Sequence, residues 1–97
     1  MPDLSVELAG LRLRNPTMLA AGILGLSAHT LRRAYEAGAG AVVSKSIGPE
    51  PRPGFRTPIL VEVGCGLLNA VGLSNPGADY FSREVRALRE AGVPVIA

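Results

Sequence analysis

Two polar side chains stand where composition alone gives little reason for them. Lys45 closes the apolar run Ala41-Val42-Val43-Ser44, and Asn69 lies inside Glu62-Val63-Gly64-Cys65-Gly66-Leu67-Leu68-Asn69-Ala70-Val71-Gly72-Leu73-Ser74-Asn75-Pro76-Gly77. An ammonium at the end of a buried strand either snorkels to water or meets an anion. The segment around Asn69 holds five glycines or prolines, two asparagines and one charge, Glu62, and has no helical or strand periodicity after Val71. Such a stretch costs backbone entropy and returns little core. Its side-chain amides and free backbone N–H groups suit it to gripping a small polar molecule.

The elements that must position these residues follow from the hydrophobic pattern. Leu4, Val6 and Leu8 alternate with polar residues, Ala9-Gly10 intervenes, and Leu11 and Leu13 alternate with Arg12 and Arg14. This period of two on both sides of a two-residue turn predicts a β-hairpin, which Asn15-Pro16 ends. Met18 to Ala21 is an apolar run without alternation, as a strand covered on both faces of a parallel sheet requires. Ser27 is the expected N-cap of a helix carrying Leu31, Ala34 and Tyr35 at helical spacing, with Gly38 at C′. Ala41 to Lys45 is the second buried strand, so the order is a βαβ unit with a right-handed crossover.

A second unit follows the same plan. Asp79 or Ser82 is the expected cap of a helix bearing Phe81, Val85 and Leu88, which ends at Gly92 before the apolar Val93 to Ala97. Tyr35-Glu36-Ala37-Gly38 and Arg89-Glu90-Ala91-Gly92 match at a spacing of 54 residues, a repeat that fits a β/α array. Between the units, Ile47 to Pro58 holds four prolines and two glycines and is expected to be irregular. Ile59 to Val63 and Leu67 to Ala70, joined through Gly64-Cys65-Gly66, read as a small hairpin inserted after the second strand. Three parallel strands leave sheet edges open, whereas a closed barrel of such units takes ~250 residues. The expectation is therefore an α/β chain forming the N-terminal part of a (β/α)8 TIM barrel, with residues 1–97 as its first third. The inserted hairpin would lie at the C-terminal face, where such barrels bind ligands.

Composition excludes several classes. A net charge of +2 with ten scattered basic residues lacks the clustered face that nucleic acid requires, and the absence of Trp leaves few stacking platforms. The single Cys65 excludes an internal disulfide and fits a reducing compartment. Met1 to Glu7 lacks a signal-peptide pattern, and no apolar run approaches the ~20 residues that span a bilayer. The reading is a cytoplasmic chain without membrane or metal partners.

Ordered motifs sharpen this. Gly10-Leu11, Asn15-Pro16, Ala20-Ala21-Gly22, Gly38-Ala39-Gly40-Ala41-Val42-Val43-Ser44-Lys45-Ser46, Pro51-Arg52-Pro53-Gly54 and Leu68-Asn69-Ala70-Val71-Gly72-Leu73-Ser74-Asn75-Pro76-Gly77 follow one another along the chain. In that order the sequence resembles the N-terminal third of class 1 dihydroorotate dehydrogenases, the flavin enzymes of pyrimidine biosynthesis. The resemblance implies non-covalent FMN and oxidation of dihydroorotate to orotate. It implies cofactor contacts at Ala20, Ala21, Gly22, Lys45 and Ser46, and substrate contacts at Lys45, Asn69, Ala70, Val71, Gly72 and Leu73. The catalytic base is expected beyond Ala97, so Cys65 is not given that role. A homodimer is implied, and an iron–sulfur electron-transfer subunit where NAD rather than fumarate is the acceptor. Other FMN barrels acting on pyrimidine rings, of the dihydropyrimidine or dihydrouridine reductase type, and a non-catalytic stand-alone fragment are the alternatives.

Plainer readings stand beside these. Alone, Lys45 is a strand-end lysine reaching solvent; within the ordered motif set it is a ligand. Asn75 before Pro76-Gly77 is a turn former. Cys65 has no basic neighbour in sequence to activate it, and His29 falls in the first turn of an amphipathic helix, facing water. Glu62 is within reach of pairing with Arg52 or Arg56, a contact of ~0–1 kcal/mol at a surface.

Overall fold

The computed structural model describes residues 2–97. Val6–Leu8 (β1) and Leu11–Leu13 (β2) form an antiparallel hairpin with Val6 opposite Leu13 and Leu8 opposite Leu11. The two connecting residues, Ala9 and Gly10, both adopt positive φ, 48° and 81°, as a tight turn matching the strand twist demands. Met18–Leu19 (β3), Ala41–Val43 (β4) and Val95–Ile96 (β7) make a parallel sheet in which β4 lies between the other two. Leu19 stands beside Val42, and Val42 beside Val95. Leu60–Val63 (β5) and Gly66–Asn69 (β6) form a second antiparallel hairpin that pairs only with itself.

Two helices cover the parallel sheet. Ala28–Glu36 (α1) and Ala78–Glu90 (α2) pack with β4 around Leu31, Val42, Phe81, Leu88 and Val93, all buried. Their apolar residues recur three and four apart, so one stripe of each helix faces the sheet. Both helices end alike. Ala39 N–H donates to Ala34 O and Gly38 N–H to Tyr35 O, while Val93 N–H donates to Leu88 O and Gly92 N–H to Arg89 O. Each is a Schellman closure with a glycine at positive φ, Gly38 at 123° and Gly92 at 73°. The repeated Glu-Ala-Gly is thus a repeated helix stop.

Their starts differ. Ser27 caps α1, its hydroxyl accepting from Thr30 N–H at 3.2 Å, and the Glu84 carboxylate of α2 accepts from Ala28 N–H at 2.5 Å. A carboxylate there satisfies an orphan donor and meets the positive end of the helix dipole. At the other end Arg14 donates to Ala39 O at 2.8 and 3.1 Å and to Tyr35 O, with its guanidinium 4.0 Å from the Tyr35 ring centre. Arg14 therefore fastens the first hairpin to the C-terminus of α1, where a cation is favoured.

Four expectations are corrected. The cap of α2 is Gly77, with no side-chain hydrogen bond; Asp79 lies in the first turn, and Ser82 spends its hydroxyl on Asp79 O inside the helix. The first parallel strand stops at Leu19 rather than Ala21, and Ile23–Leu26 forms a 3₁₀ turn before α1. The second stops at Val43: Ser44 N–H still donates to Ile96 O, but Lys45 N–H turns away to Gly25 O in that turn. Glu62 pairs with neither Arg52 nor Arg56: the ion pair found among the described residues is Arg32–Glu36 at 2.7 Å, one helical turn apart. No helix is long and apolar enough to cross a membrane among the described residues.

The two polar contacts of α1 predict unequal costs. Glu84→Ala should lower stability by about 1 kcal/mol and speed amide exchange at Ala28 selectively. Arg32→Ala, which breaks only an exposed pair, should cost no more than ~0.5 kcal/mol. Urea unfolding with residue-resolved exchange would check both, and equal costs would contradict the inter-helix capping role of Glu84.

Candidate functional site

Lys45 is positioned by a glycine. The 3₁₀ turn after β3 lies so close to the end of β4 that a Cβ on Gly25 would collide with the backbone of Ser44 and Lys45. Lys45 N–H donates to Gly25 O at 3.0 Å, and Ser44, buried beneath, gives its hydroxyl to Lys45 O at 3.0 Å. Only a residue without a side chain permits this approach. It holds the Lys45 backbone beyond the C-terminal end of the parallel sheet while the side chain stays half-buried.

The inserted hairpin supplies the opposite wall. Leu60 pairs directly with Asn69 in β5–β6, and cross-strand partners share a face. Both side chains therefore point the same way, and a one-residue slip of one strand against the other would put them on opposite faces. Lys45, Leu60 and Asn69 line one cleft of about 370 Å³ together with Gly22, Ile23, Ile59 and Val71. Its charge chemistry is simple: one ammonium and one side-chain amide between aliphatic walls. Such a lining suits a flat, largely apolar molecule bearing an anionic edge and amide-like polar atoms.

Of the residues expected from sequence, the structure brings Gly22, Lys45, Asn69 and Val71 together in this cleft. Ser46 and Leu73 line a neighbouring cleft of about 570 Å³ with Asn75 and the loop Ile47 to Arg52. Ala20 and Ala21 lie exposed between β3 and the 3₁₀ turn, Ala70 is exposed just after β6, and Gly72 is half-buried beneath Phe55. Sequence reasoning missed Ile23, Ile59 and Leu60. The alternation of Leu60 and Glu62 against Leu67 and Asn69 carries the signal for Leu60, whereas Ile23 has none, because its turn was not foreseen.

The loop before β5 and the loop after β6 are knitted into one unit. Arg52 and Asn75 exchange backbone hydrogen bonds of 2.8 and 2.9 Å, and Phe55 N–H donates to Val71 O at 3.0 Å. Glycines allow the contact. A Cβ on Gly72 would lie 2.7 Å from Phe55, one on Gly77 2.8 Å from Pro51, and one on Gly54 would strike Val71 O. All three also have positive φ. Leu73 shares that left-handed region at φ 57°, a cost of roughly 1–2 kcal/mol for a residue with a Cβ.

Comparison with known proteins shows the family of the chain. The family model described as dihydroorotate dehydrogenase matches residues 3–97. The chain is 53% identical over 96 residues to the catalytic subunit of dihydroorotate dehydrogenase B (NAD(+)) of Thermoplasma acidophilum, covering 99% of this chain and 32% of that one. It is 50% identical over 94 residues to the protein of the same name from Methanothermobacter thermautotrophicus, covering 97% and 31%. A crystal structure of the dihydroorotate dehydrogenase of Eimeria tenella in complex with ferulenol superposes with a TM-score of 0.76 at 27% identity, over 91% of this chain and 24% of that one. The chain thus spans about a third of the length of the curated relatives it matches.

The knitted loops predict a proteolytic phenotype. Gly72→Ala should combine an unfavourable φ with a clash against Phe55 and release the proline-rich loop. Tryptic cleavage after Arg56 should then speed up by about tenfold or more, as opening becomes easier by at least ~1.4 kcal/mol. An unchanged cleavage rate would mean that the two loops open independently.

Proposed function

This chain belongs to the dihydroorotate dehydrogenase family, and we propose that residues 1–97 are the first third of an FMN-binding (β/α)8 barrel that oxidises dihydroorotate to orotate in pyrimidine biosynthesis. The observation that carries the reading is the convergence of Gly22, Lys45, Asn69 and Val71 on one cleft beyond the C-terminal ends of parallel strands. Ligands of open and closed β/α sheets bind at that end.

The lining suits both molecules. A flat isoalloxazine needs close backbone approach on one side, which Gly22 permits; a Cβ there would meet nothing within 4 Å, so the space beside it is open. Ala20, Ala21 and Ser46 complete the cofactor side. FMN, when bound, supplies the hydride acceptor. The Lys45 ammonium would hold an anionic edge at this end of the cleft, offsetting negative charge on a reduced flavin and pairing with the carboxylate of the substrate. Asn69 presents a donor and an acceptor to the amide-like edge of the pyrimidine ring, and the backbone from Ala70 to Leu73 closes over it. Conversion to orotate also removes a proton from the ring. Cys65, exposed in the β5–β6 turn and outside the cleft lining, is not placed to take it; the family resemblance implies a base from a later part of the barrel. Relatives named as catalytic subunits of an NAD(+) enzyme support a second, partner subunit on the way to NAD(+). That this partner carries an iron–sulfur centre, that the barrel is a homodimer and that it works in the cytoplasm are what the family resemblance implies.

In the full-length protein, Lys45→Ala should slow flavin reduction by dihydroorotate roughly 100-fold or more in single turnover, the scale of removing a charge stabiliser from a reacting centre. Asn69→Ala should weaken orotate binding about tenfold while FMN stays bound. Near wild-type rates in Lys45→Ala, or turnover of dihydropyrimidines with none of dihydroorotate, would overturn the assignment. Equal loss of FMN and orotate in Asn69→Ala would indicate misfolding instead.

A further inference from the structure

We propose that Asn75 is a positioning residue whose side-chain amide holds Leu73 in the left-handed conformation and so presents the Val71–Leu73 backbone to the substrate; the inference rests on the functional reading above. Leu73 is the unusual residue of this loop. Its φ is 57° although it carries a branched side chain, and that side chain is 63% exposed. Packing therefore does not hold it there. A left-handed leucine persists only where its surroundings over-determine it, and such residues gather at ligand-binding segments.

Asn75 provides that determination. Its Nδ2 donates to Leu73 O at 2.9 Å. Its Oδ1 accepts from Gly48 N–H at 3.1 Å and from Gly77 N–H at 3.0 Å. Its own backbone is locked on both sides to Arg52. One planar amide thus grips the residue two before it, the residue two after it and the proline-rich loop together. The set requires two acceptor contacts and one donor from a single short side chain, which Asp, Ser and Thr do not supply in this form. Without the donor, the Leu73 carbonyl loses its partner, the leucine relaxes to negative φ, and the Gly72–Leu73 peptide turns away from the substrate side.

Asn75→Asp in the full-length protein keeps the acceptors and removes the donor. The intraresidue amide-to-α proton NOE of Leu73, strong only at positive φ, reads the conformation without any ligand, and orotate titration reads the site. Asn75→Asp should weaken that NOE and raise the orotate Kd about tenfold, with FMN content unchanged. Leu73→Gly added to it should bring the Kd back to within about threefold of Leu73→Gly alone, since glycine adopts positive φ without a Cβ penalty. A full-strength Leu73 NOE in Asn75→Asp overturns the proposal, as does an orotate loss that Leu73→Gly leaves unrepaired. If the wild-type protein binds no orotate, the functional reading fails separately, and the NOE by itself decides whether Asn75 holds Leu73.

Discussion

Val42 is the residue on which the geometry turns. It is fully buried, pairs with Leu19 on one side and Val95 on the other, and sits under both helices. Because all three strands run parallel, their C-terminal ends reach the same rim. The turn after β3 and the end of β4 must then meet, and they do so through Gly25 and Lys45. A polar residue at position 42 would unbalance the sheet and the helix layer together; a slip in its register would carry Lys45 away from Gly22.

The site is built on that rim from two kinds of part. The rigid part is the strand end, where Ser44 is buried and bonded and Gly25 leaves no room for movement. The other part is added on: a hairpin that pairs only with itself and exposes Leu60, Val61, Val63, Leu67 and Leu68. A two-stranded hairpin of this size has marginal stability of its own in water. Its attachment to the rest of the chain runs through the loops on either side, stitched by Arg52 with Asn75 and Phe55 with Val71. Precision at Asn69 therefore depends on loop-to-loop backbone contacts, and the glycines and asparagine that make those contacts have a structural reason to be there.

Helix α1 shows how distant segments share one task. Its first turn is capped by its own Ser27 and by Glu84 of α2, and Arg14, which follows the first hairpin, donates to Tyr35 O in its last turn and to Ala39 O just beyond it. Three parts of the chain are thereby fastened through the ends of one nine-residue helix. The ends carry the unsatisfied backbone groups, so that is where polar cross-links are most effective.

Local pattern and motif determined much of this protein. Alternation marked the first hairpin, the Gly64-Cys65-Gly66 turn between two short runs marked the second, uninterrupted apolar runs marked the parallel strands, and the two Glu-Ala-Gly segments marked the helix stops, because each depends on residues close in sequence. The ordered motifs identified the family, now shown by the comparisons. Tertiary structure alone decided the rest. Gly77 rather than Asp79 or Ser82 starts α2, since backbone from Pro51 presses against that position. The second parallel strand ends early because Lys45 N–H turns to Gly25 O, a contact between segments that no periodicity encodes. Asn75 looked like a simple turn former, and its bonds to Gly48, Leu73 and Gly77 follow only once two loops, one of them 27 residues away in sequence, are brought face to face.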